Sequence, residues 1–65
     1  MDWRQQLAWL LQRRWAGHGG LNQAASELGV SRMTLWQWRA EVVEPNWENR
    51  RKLTALVRQT KEDAK

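Results

Sequence analysis

Arginine supplies most of the side chains in this sequence that could do chemistry. Eight of the eleven Lys and Arg residues are Arg, against seven acids, and the formal net charge is +4. A guanidinium group donates paired hydrogen bonds that suit phosphate and the edge of guanine. The charges are segregated, because residues 41–49 carry three Glu and no cation, whereas residues 50–58 carry three Arg, one Lys and no acid. Patches of positive charge are typical of proteins that bind polyanions.

Catalytic and metal-binding chemistry have little support in the sequence. Cys is absent, and the single His, His18, lies in a glycine-rich stretch with no second His near it. No glycine-rich phosphate loop follows a strand and the acids show no inward-facing pairing, so we expect neither an enzyme nor a cofactor or metal. A chain of 65 residues also leaves little room for a closed pocket, and no small-molecule ligand is expected.

The chain must be stabilised by ordinary packing or by oligomerisation. Its 65 residues suffice for one domain, and without Cys it has neither disulfides nor a thiolate zinc site. Hydrophobic residues make up 42% of it, and its aromatic residues are six Trp. No apolar run approaches the roughly 20 residues that span a bilayer, and the N-terminus lacks the layout of a signal peptide. We therefore expect a cytoplasmic protein without a membrane segment.

Hydrophobic periodicity predicts an all-α fold of four short helices. The helices are expected at about residues 2–16, 21–28, 32 to 42 or 43, and 45–59. Asp2 and Ser31 are suited to cap the first and third helices, and the glycine-rich residues 17–20 end the first. We predict a single domain over residues 1–60, followed by a polar tail, residues 61–65, that frays.

The same periodicity predicts which side chains face the core. These are the apolar residues on one face of each helix: Trp3, Leu7, Leu10, Leu11, Trp15, Leu21, Ala24, Ala25, Leu28, Leu35, Trp38, Val42, Trp47, Leu53, Leu56 and Val57. Trp9 and Trp36 fall off these faces, and an exposed indole on so small a domain is a candidate for an interface. We predict that Trp9, or else the fourth helix and the tail, contacts the second subunit of a homodimer. The alternative for Trp9 is partial burial against the C-terminal helix.

Residues 21–38 have the spacing of two short helices joined by a tight turn. Ala24 and Ala25 are small enough to let a second helix approach closely. Gly29 lies where the chain must turn sharply, and Ser31 can start the next helix. The simplest alternative is an ordinary helical hairpin in a small bundle.

This stretch resembles the helix-turn-helix motif of bacterial and phage regulators. Small, glycine and apolar residues stand where that family has them, at Ala25, Gly29, Val30, Leu35 and Trp38. Residues 24–35, with the sequence AASELGVSRMTL, also look like the DNA-binding helices of the factor-for-inversion-stimulation group. Pro45 and the apolar helix after it are similar to the helix that follows the recognition helix in lambda-repressor/Cro-like domains. The resemblance covers about residues 21–57, with the motif at about 21–40.

The resemblance implies that the third helix enters the major groove with its N-terminal residues against base edges. The groove-facing residues would be Ser31, Arg32, Met33, Trp36 and Gln37. Arg32 would donate a bidentate pair to guanine, and Gln37 would pair in the same way with adenine. Met33 and Trp36 offer no such readout and would contact a thymine methyl group or the sugar-phosphate walls.

Phosphate contacts would position the domain on the duplex. The candidates lie at the start of the second helix, on the third helix and at the start of the fourth: Asn22, Gln23, Thr34, Arg39, Asn46, Asn49 and Arg50. For residues 50–52 the alternative is a solvated helix face with a Glu48–Lys52 pair. Arg13 and Arg14 end the first helix, where cations also interact favourably with the helix dipole.

These features together predict a sequence-specific, double-stranded-DNA-binding regulator. We expect a repressor of phage, prophage or plasmid type that binds a palindromic operator as a homodimer and occludes polymerase. An antitoxin-like autorepressor would share this chemistry. The alternatives are a helical protein-interaction module that uses Trp9, Met33 and Trp36 as anchors, and a non-specific nucleic-acid binder with a steep salt dependence.

Overall fold

The computed structural model describes residues 1–63, and these form four α-helices and no strand. The helices are α1 (Trp3–Arg13), α2 (Gly20–Leu28), α3 (Arg32–Arg39) and α4 (Trp47–Asp63). The predicted all-α class and number of helices are confirmed. None of the helices in this part of the chain combines the length and apolar character needed to cross a bilayer.

The first helix begins as the sequence indicates. The backbone N–H of Gln5 donates to Asp2 Oδ1 at 3.0 Å, and the backbone N–H of Asp2 donates to Gln5 Oε1 at 3.2 Å. This reciprocal pair is a capping box, and it satisfies N–H groups that a first turn otherwise leaves unpaired. α1 ends at Arg13 rather than near residue 16, yet Trp15 beyond its end is still buried.

Apolar side chains from all four helices form one core. The core contains four fully buried leucines, one from each helix: Leu10, Leu28, Leu35 and Leu53. α1 packs most extensively on α4, α2 contacts each of the other helices, and α3 lies against α1 and α2. Trp3, Trp15 and Trp38 are buried in this core as predicted.

The third helix is shorter than predicted and ends at Arg39. Glu41 has a left-handed φ of 59°, and its N–H donates to the carbonyl oxygen of Trp38 at 3.1 Å. The N–H of Val42 donates to the carbonyl oxygen of Gln37 at 3.0 Å. This pair of bonds is a Schellman motif, which closes a helix. Since the helical period stops here, the predicted core position of Val42 is wrong, and that residue is 66% exposed.

The fourth helix begins at Trp47 rather than at residue 45. Pro45 is buried ahead of it, and Asn46 Oδ1 accepts a hydrogen bond from the N–H of Asn49 at 2.9 Å. The predicted core position of Trp47 is wrong, because this residue is 68% exposed. Its direction around the helix axis is about 120° from that of the buried Leu53.

Three further differences from the prediction concern Gly20, Leu21 and the end of α4, whereas Trp9 agrees with one of its two predicted positions. Gly20, expected in the loop, is the first residue of α2. Leu21 is 37% exposed, so its predicted core position is also wrong; it lies in the first turn of α2 beside a groove on α3. Residues 61–63 continue α4 instead of fraying, and residues 64 and 65 of the predicted tail lie outside the described residues. Trp9 is half-buried with Lys61 Nζ of α4 at 5.7 Å from its ring centroid, in agreement with its predicted alternative.

Candidate nucleic-acid interface

Residues 29–31 join α2 to α3 in a turn with the predicted chemistry. Gly29 has a φ of 70°, and its N–H donates to the carbonyl oxygen of Ser26 at 3.2 Å. The N–H of Val30 donates to the carbonyl oxygen of Ala25 at 3.0 Å, which completes a second Schellman motif. Glycine adopts this left-handed conformation at little cost. A glycine is therefore the residue best suited to the first position of this turn.

The cap of α3 fixes the direction in which this helix leaves the turn. Ser31 Oγ accepts a hydrogen bond from the backbone N–H of Thr34 at 3.0 Å, so the predicted N-cap is confirmed. The two hydroxyl oxygens of Ser31 and Thr34 are also 3.0 Å apart. Both side chains are thus engaged at the start of α3.

A lysine on α4 holds the end of α2. Lys52 Nζ donates to the carbonyl oxygen of Leu28 at 3.2 Å. The last carbonyls of a helix lack helical partners, and a cation there also interacts favourably with the helix dipole. Lys52 therefore connects α4 to the residue just before the turn.

A carboxylate on α2 joins this helix to the end of α1. Arg14 Nε and Nη2 donate to Glu27 Oε1 at 2.9 and 2.6 Å, and the indole Nε1 of Trp15 donates to Glu27 Oε2. The hydrogen bond from Arg14 is the main cause that lowers the pKa of Glu27, and it prevails over the opposing effect of burial. The same bond raises the pKa of Arg14. Arg14 is thus engaged within the fold.

The residues predicted to face DNA bases differ in how accessible they are. Arg32, Met33 and Trp36 are exposed on α3, with Met33 at 64% and Trp36 at 58%. Gln37 is half-buried. Ser31 is exposed, but its hydroxyl serves the cap. Arg32, Met33 and Trp36 are therefore the members of this set that are most open to a partner.

An open groove of about 490 Å³ runs beside α3. Its lining residues come from α2 and α3, and they are Leu21, Arg32, Met33, Leu35, Trp36 and Arg39. The groove brings together Arg39, predicted to contact phosphate, and three of the residues predicted to contact bases. Sequence reasoning placed Leu21 in the core and so missed it here. The sequence did contain a signal for its exposure, because Leu21 lies in the first turn of α2, where a neighbouring helix need not cover the side chain.

The other predicted phosphate contacts near the turn are changed by local hydrogen bonds. Asn22 and Gln23 are exposed at the start of α2. The N–H of Gln23 donates to the carbonyl oxygen of Gly19 at 3.1 Å, so it is not free for a phosphate. Asn22 remains the candidate backbone donor at this helix start. Thr34 is half-buried with its hydroxyl against Ser31.

At the start of α4, the predicted phosphate contacts already have partners in the fold. Asn46 caps the helix through the N–H of Asn49. Arg50 donates from Nε to the carbonyl oxygen of Pro45 and from Nη2 to Glu44 Oε2, both at 3.0 Å. Glu44 also pairs with Arg4 of α1 at 3.5 Å. Arg50 therefore belongs to an ion-pair network that joins α1 to the segment before α4.

A separate cationic groove on α4 was not predicted. The guanidinium carbon of Arg51 lies 4.7 Å from the ring centroid of Trp47, and both residues line this groove together with Arg58. The i, i+4 spacing of Trp47 and Arg51 was a usable signal for the stacked pair. The pair was not predicted because Trp47 had been assigned to the core.

Hydrogen bonding, charge and apolar contact are the interactions that the surface of α3 offers. Within residues 1–63, no three His, Asp or Glu side chains are grouped so that they could hold a metal ion. No protein-family model, curated protein or solved structure that was compared with the chain matches it.

Proposed function

We propose that the protein binds double-stranded DNA sequence-specifically, with α2, residues 29–31 and α3 acting as a helix-turn-helix. In this arrangement α3 enters the major groove and α2 crosses the phosphate backbone. The protein would repress transcription by covering an operator as a homodimer, in the cytoplasm or on the nucleoid. The dimer, and Trp9 as its contact, remain predictions.

The observation that carries this proposal is that the helix directly after the turn presents two exposed arginines that form no ion pair within the described part of the chain. Among residues 1–63, the cations that form ion pairs are Arg4, Arg14 and Arg50. Arg32 and Arg39 are exposed on α3 and belong to none of these pairs. An unpaired guanidinium keeps its donors for a ligand such as guanine or phosphate. α3 thus presents two available cations at the surface next to the turn.

Each residue on this surface has a distinct role in the proposal. Arg32, one residue after the cap, donates to guanine O6 and N7. Gln37 contacts adenine with the part of its side chain that is exposed. Arg39 and the N–H of Asn22 contact phosphates, which set the register without reading sequence. Ser31 and Thr34 position α3 through the cap.

A protein-interaction module is the second candidate, and one observation favours it. Met33 and Trp36 expose large apolar surfaces on the same helix. Tryptophan and arginine are common among the residues that dominate protein–protein binding energy. In that case α3 would bind another protein, and duplex DNA would bind weakly through charge alone.

Selection of bound sequences from a random duplex pool tests the proposal. We expect enrichment of a short site with two-fold symmetry, and half-sites about one helical turn apart, roughly 34–36 Å. Arg32→Ala should weaken binding to the enriched site by about 1–3 kcal/mol and relax specificity at one base pair.

Arg58→Ala is the matched control. Arg58 is an exposed arginine on α4 that takes no part in the ion pairs formed within residues 1–63. Arg58→Ala removes one positive charge, as Arg32→Ala does, but from α4 rather than from α3. It should therefore leave base specificity unchanged. If Arg32→Ala and Gln37→Ala both leave binding to the enriched site unchanged, α3 does not read DNA. A steep salt dependence without any enriched site would indicate non-specific binding.

A further inference from the structure

The groove beside α3 is more apolar than a surface that reads only polar base edges requires. Met33 and Trp36 line it and are each more than half exposed, and the buried Leu35 also contributes to its lining. Leu21 adds a partly exposed apolar side chain from α2. Large side chains exposed together on so small a domain favour a partner that removes them from water.

The major groove of DNA offers one kind of apolar group. Guanine, adenine and cytosine present nitrogen and oxygen donors or acceptors there, whereas thymine presents a C5 methyl group beside its O4. An apolar side chain placed against a polar base edge would desolvate that edge without providing a hydrogen bond, and this costs free energy. Such a groove therefore favours a pyrimidine that carries a C5 methyl group.

Two arginines at the same groove extend this preference to neighbouring groups. Arg32 and Arg39 line it together with the apolar residues. A guanidinium group donates well to guanine and to phosphate. The groove therefore combines an apolar surface for a methyl group with donors for polar groups on either side of that methyl.

We propose that Leu21, Met33 and Trp36 form a contact surface that reads the C5 methyl group of a pyrimidine in the major groove. This inference rests on the proposed DNA-binding function and specifies what the groove recognises. The natural ligand of the groove is a thymine close to a guanine or a phosphate that Arg32 or Arg39 contacts. A 5-methylcytosine presents the same methyl group at the same ring position.

Deoxyuridine substitution tests the inference, because uracil pairs with adenine as thymine does and lacks only the methyl group. The probe is the duplex that a random pool yields, with each thymine replaced in turn by deoxyuridine. We expect one or two replacements in each half-site to weaken binding about fourfold. This corresponds to roughly 0.8 kcal/mol for removing one buried methyl group. The other replacements should have no effect.

Variants of the protein show whether α3 is responsible for the effect. With Met33→Ala and Trp36→Ala, the loss caused by the sensitive deoxyuridine should fall to about twofold or less in at least one variant. Trp47→Ala is the matched control, because it removes an exposed indole on α4 and should keep the full fourfold loss. Circular dichroism of each variant confirms that the helices are intact.

The outcomes separate this inference from the function on which it rests. An enriched site that tolerates every deoxyuridine, yet loses affinity with Arg32→Ala, overturns methyl recognition and leaves sequence-specific binding in place. An unchanged fourfold loss in both the Met33 and the Trp36 variants places the methyl contact elsewhere and also overturns the inference. If no sequence is enriched, both proposals fall.

Discussion

The backbone of Gly20 lies directly against the carbonyl group of Trp15. A Cβ atom added to Gly20 would be 1.8 Å from the carbonyl oxygen of Trp15 and 2.8 Å from its carbonyl carbon. These are backbone atoms that no side-chain rotation can move. The start of α2 is therefore packed against the segment after α1 as closely as a glycine allows.

The first prediction follows from this contact. Gly20→Ala should lower the free energy of unfolding by at least about 2–3 kcal/mol, because the loop or α2 must shift to admit the methyl group. Gly29→Ala is the comparison. Gly29 has a φ of 70°, but a Cβ there would meet only Lys52 Nζ at 3.6 Å. Its cost should be nearer 1 kcal/mol, from backbone strain alone. Urea unfolding of the two variants measures both, and equal losses would contradict the close contact at Gly20.

The second prediction concerns pH. The folded protein lowers the pKa of Glu27, mainly through the hydrogen bond from Arg14. A carboxyl group with a lowered folded-state pKa stabilises the fold above its unfolded-state pKa, and this contribution is lost as the pH falls through the folded-state pKa. We therefore expect stability to fall from about pH 5 downwards.

Glu27→Gln should flatten this part of the profile and lower stability at neutral pH by about 1–3 kcal/mol, because Arg14 and Trp15 lose a charged acceptor. Glu62→Gln, at an exposed position on α4, controls for the change in net charge. Thermal melts between about pH 3 and pH 7 supply the measurement, because carboxyl groups titrate within this range. A Glu27→Gln profile parallel to that of the parent would show that another group causes the acid sensitivity.

The third prediction separates two tryptophans that the sequence pattern placed together in the core. Trp47→Ala should change stability by no more than about 1 kcal/mol, because the indole is largely exposed and contacts Arg51 by stacking. Trp38→Ala removes a buried indole and should cost about 3–5 kcal/mol. Chemical denaturation of both variants tests this ordering. Equal costs would mean that Trp47 is covered in solution.

Local rules predicted most of the fold because the residues that start and end helices act over a few positions. The cap at Asp2, the turn at Gly29 and the cap at Ser31 each depend on neighbours within five residues, and each is present in the structure. The periodicity of α1 likewise placed Trp3 and Leu10 in the core. Helix boundaries can be predicted from such a sequence because capping, turn chemistry and periodicity agree.

The wrong core assignments arose where the apolar period was continued beyond the end of a helix, or onto a part of the helix that no neighbour covers. Val42 follows Glu41, whose left-handed φ ends the helix. Val42 therefore no longer lies on the face of α3 that Leu35 and Trp38 share. Trp47 belongs to α4 but lies on its outer side. Leu21 points to the correct side of α2, yet it lies at an end that α3 leaves partly open.

Long-range contacts in the candidate site had no local signature. Nothing in the spacing of Lys52 and Leu28 indicates that a lysine on α4 would cap α2. The bond between Trp15 and Glu27 likewise depends on how α1 and α2 pack. For this reason Arg50 and Arg14 looked available in the sequence, whereas the structure gives both of them carboxylate partners. The arginines of α3 keep their donors.

The final prediction uses this difference to test how the protein contacts phosphates. A residue that neutralises one phosphate on duplex DNA contributes about one to the slope of log affinity against log salt concentration. Arg39→Ala should therefore lower that slope by about one and weaken binding to specific and random duplexes alike. Arg50→Ala should lower it less, because Arg50 is already paired with Glu44. Fluorescence anisotropy with labelled duplexes over a range of salt concentrations gives both slopes. A larger change for Arg50→Ala than for Arg39→Ala would move the phosphate contact from α3 to the start of α4.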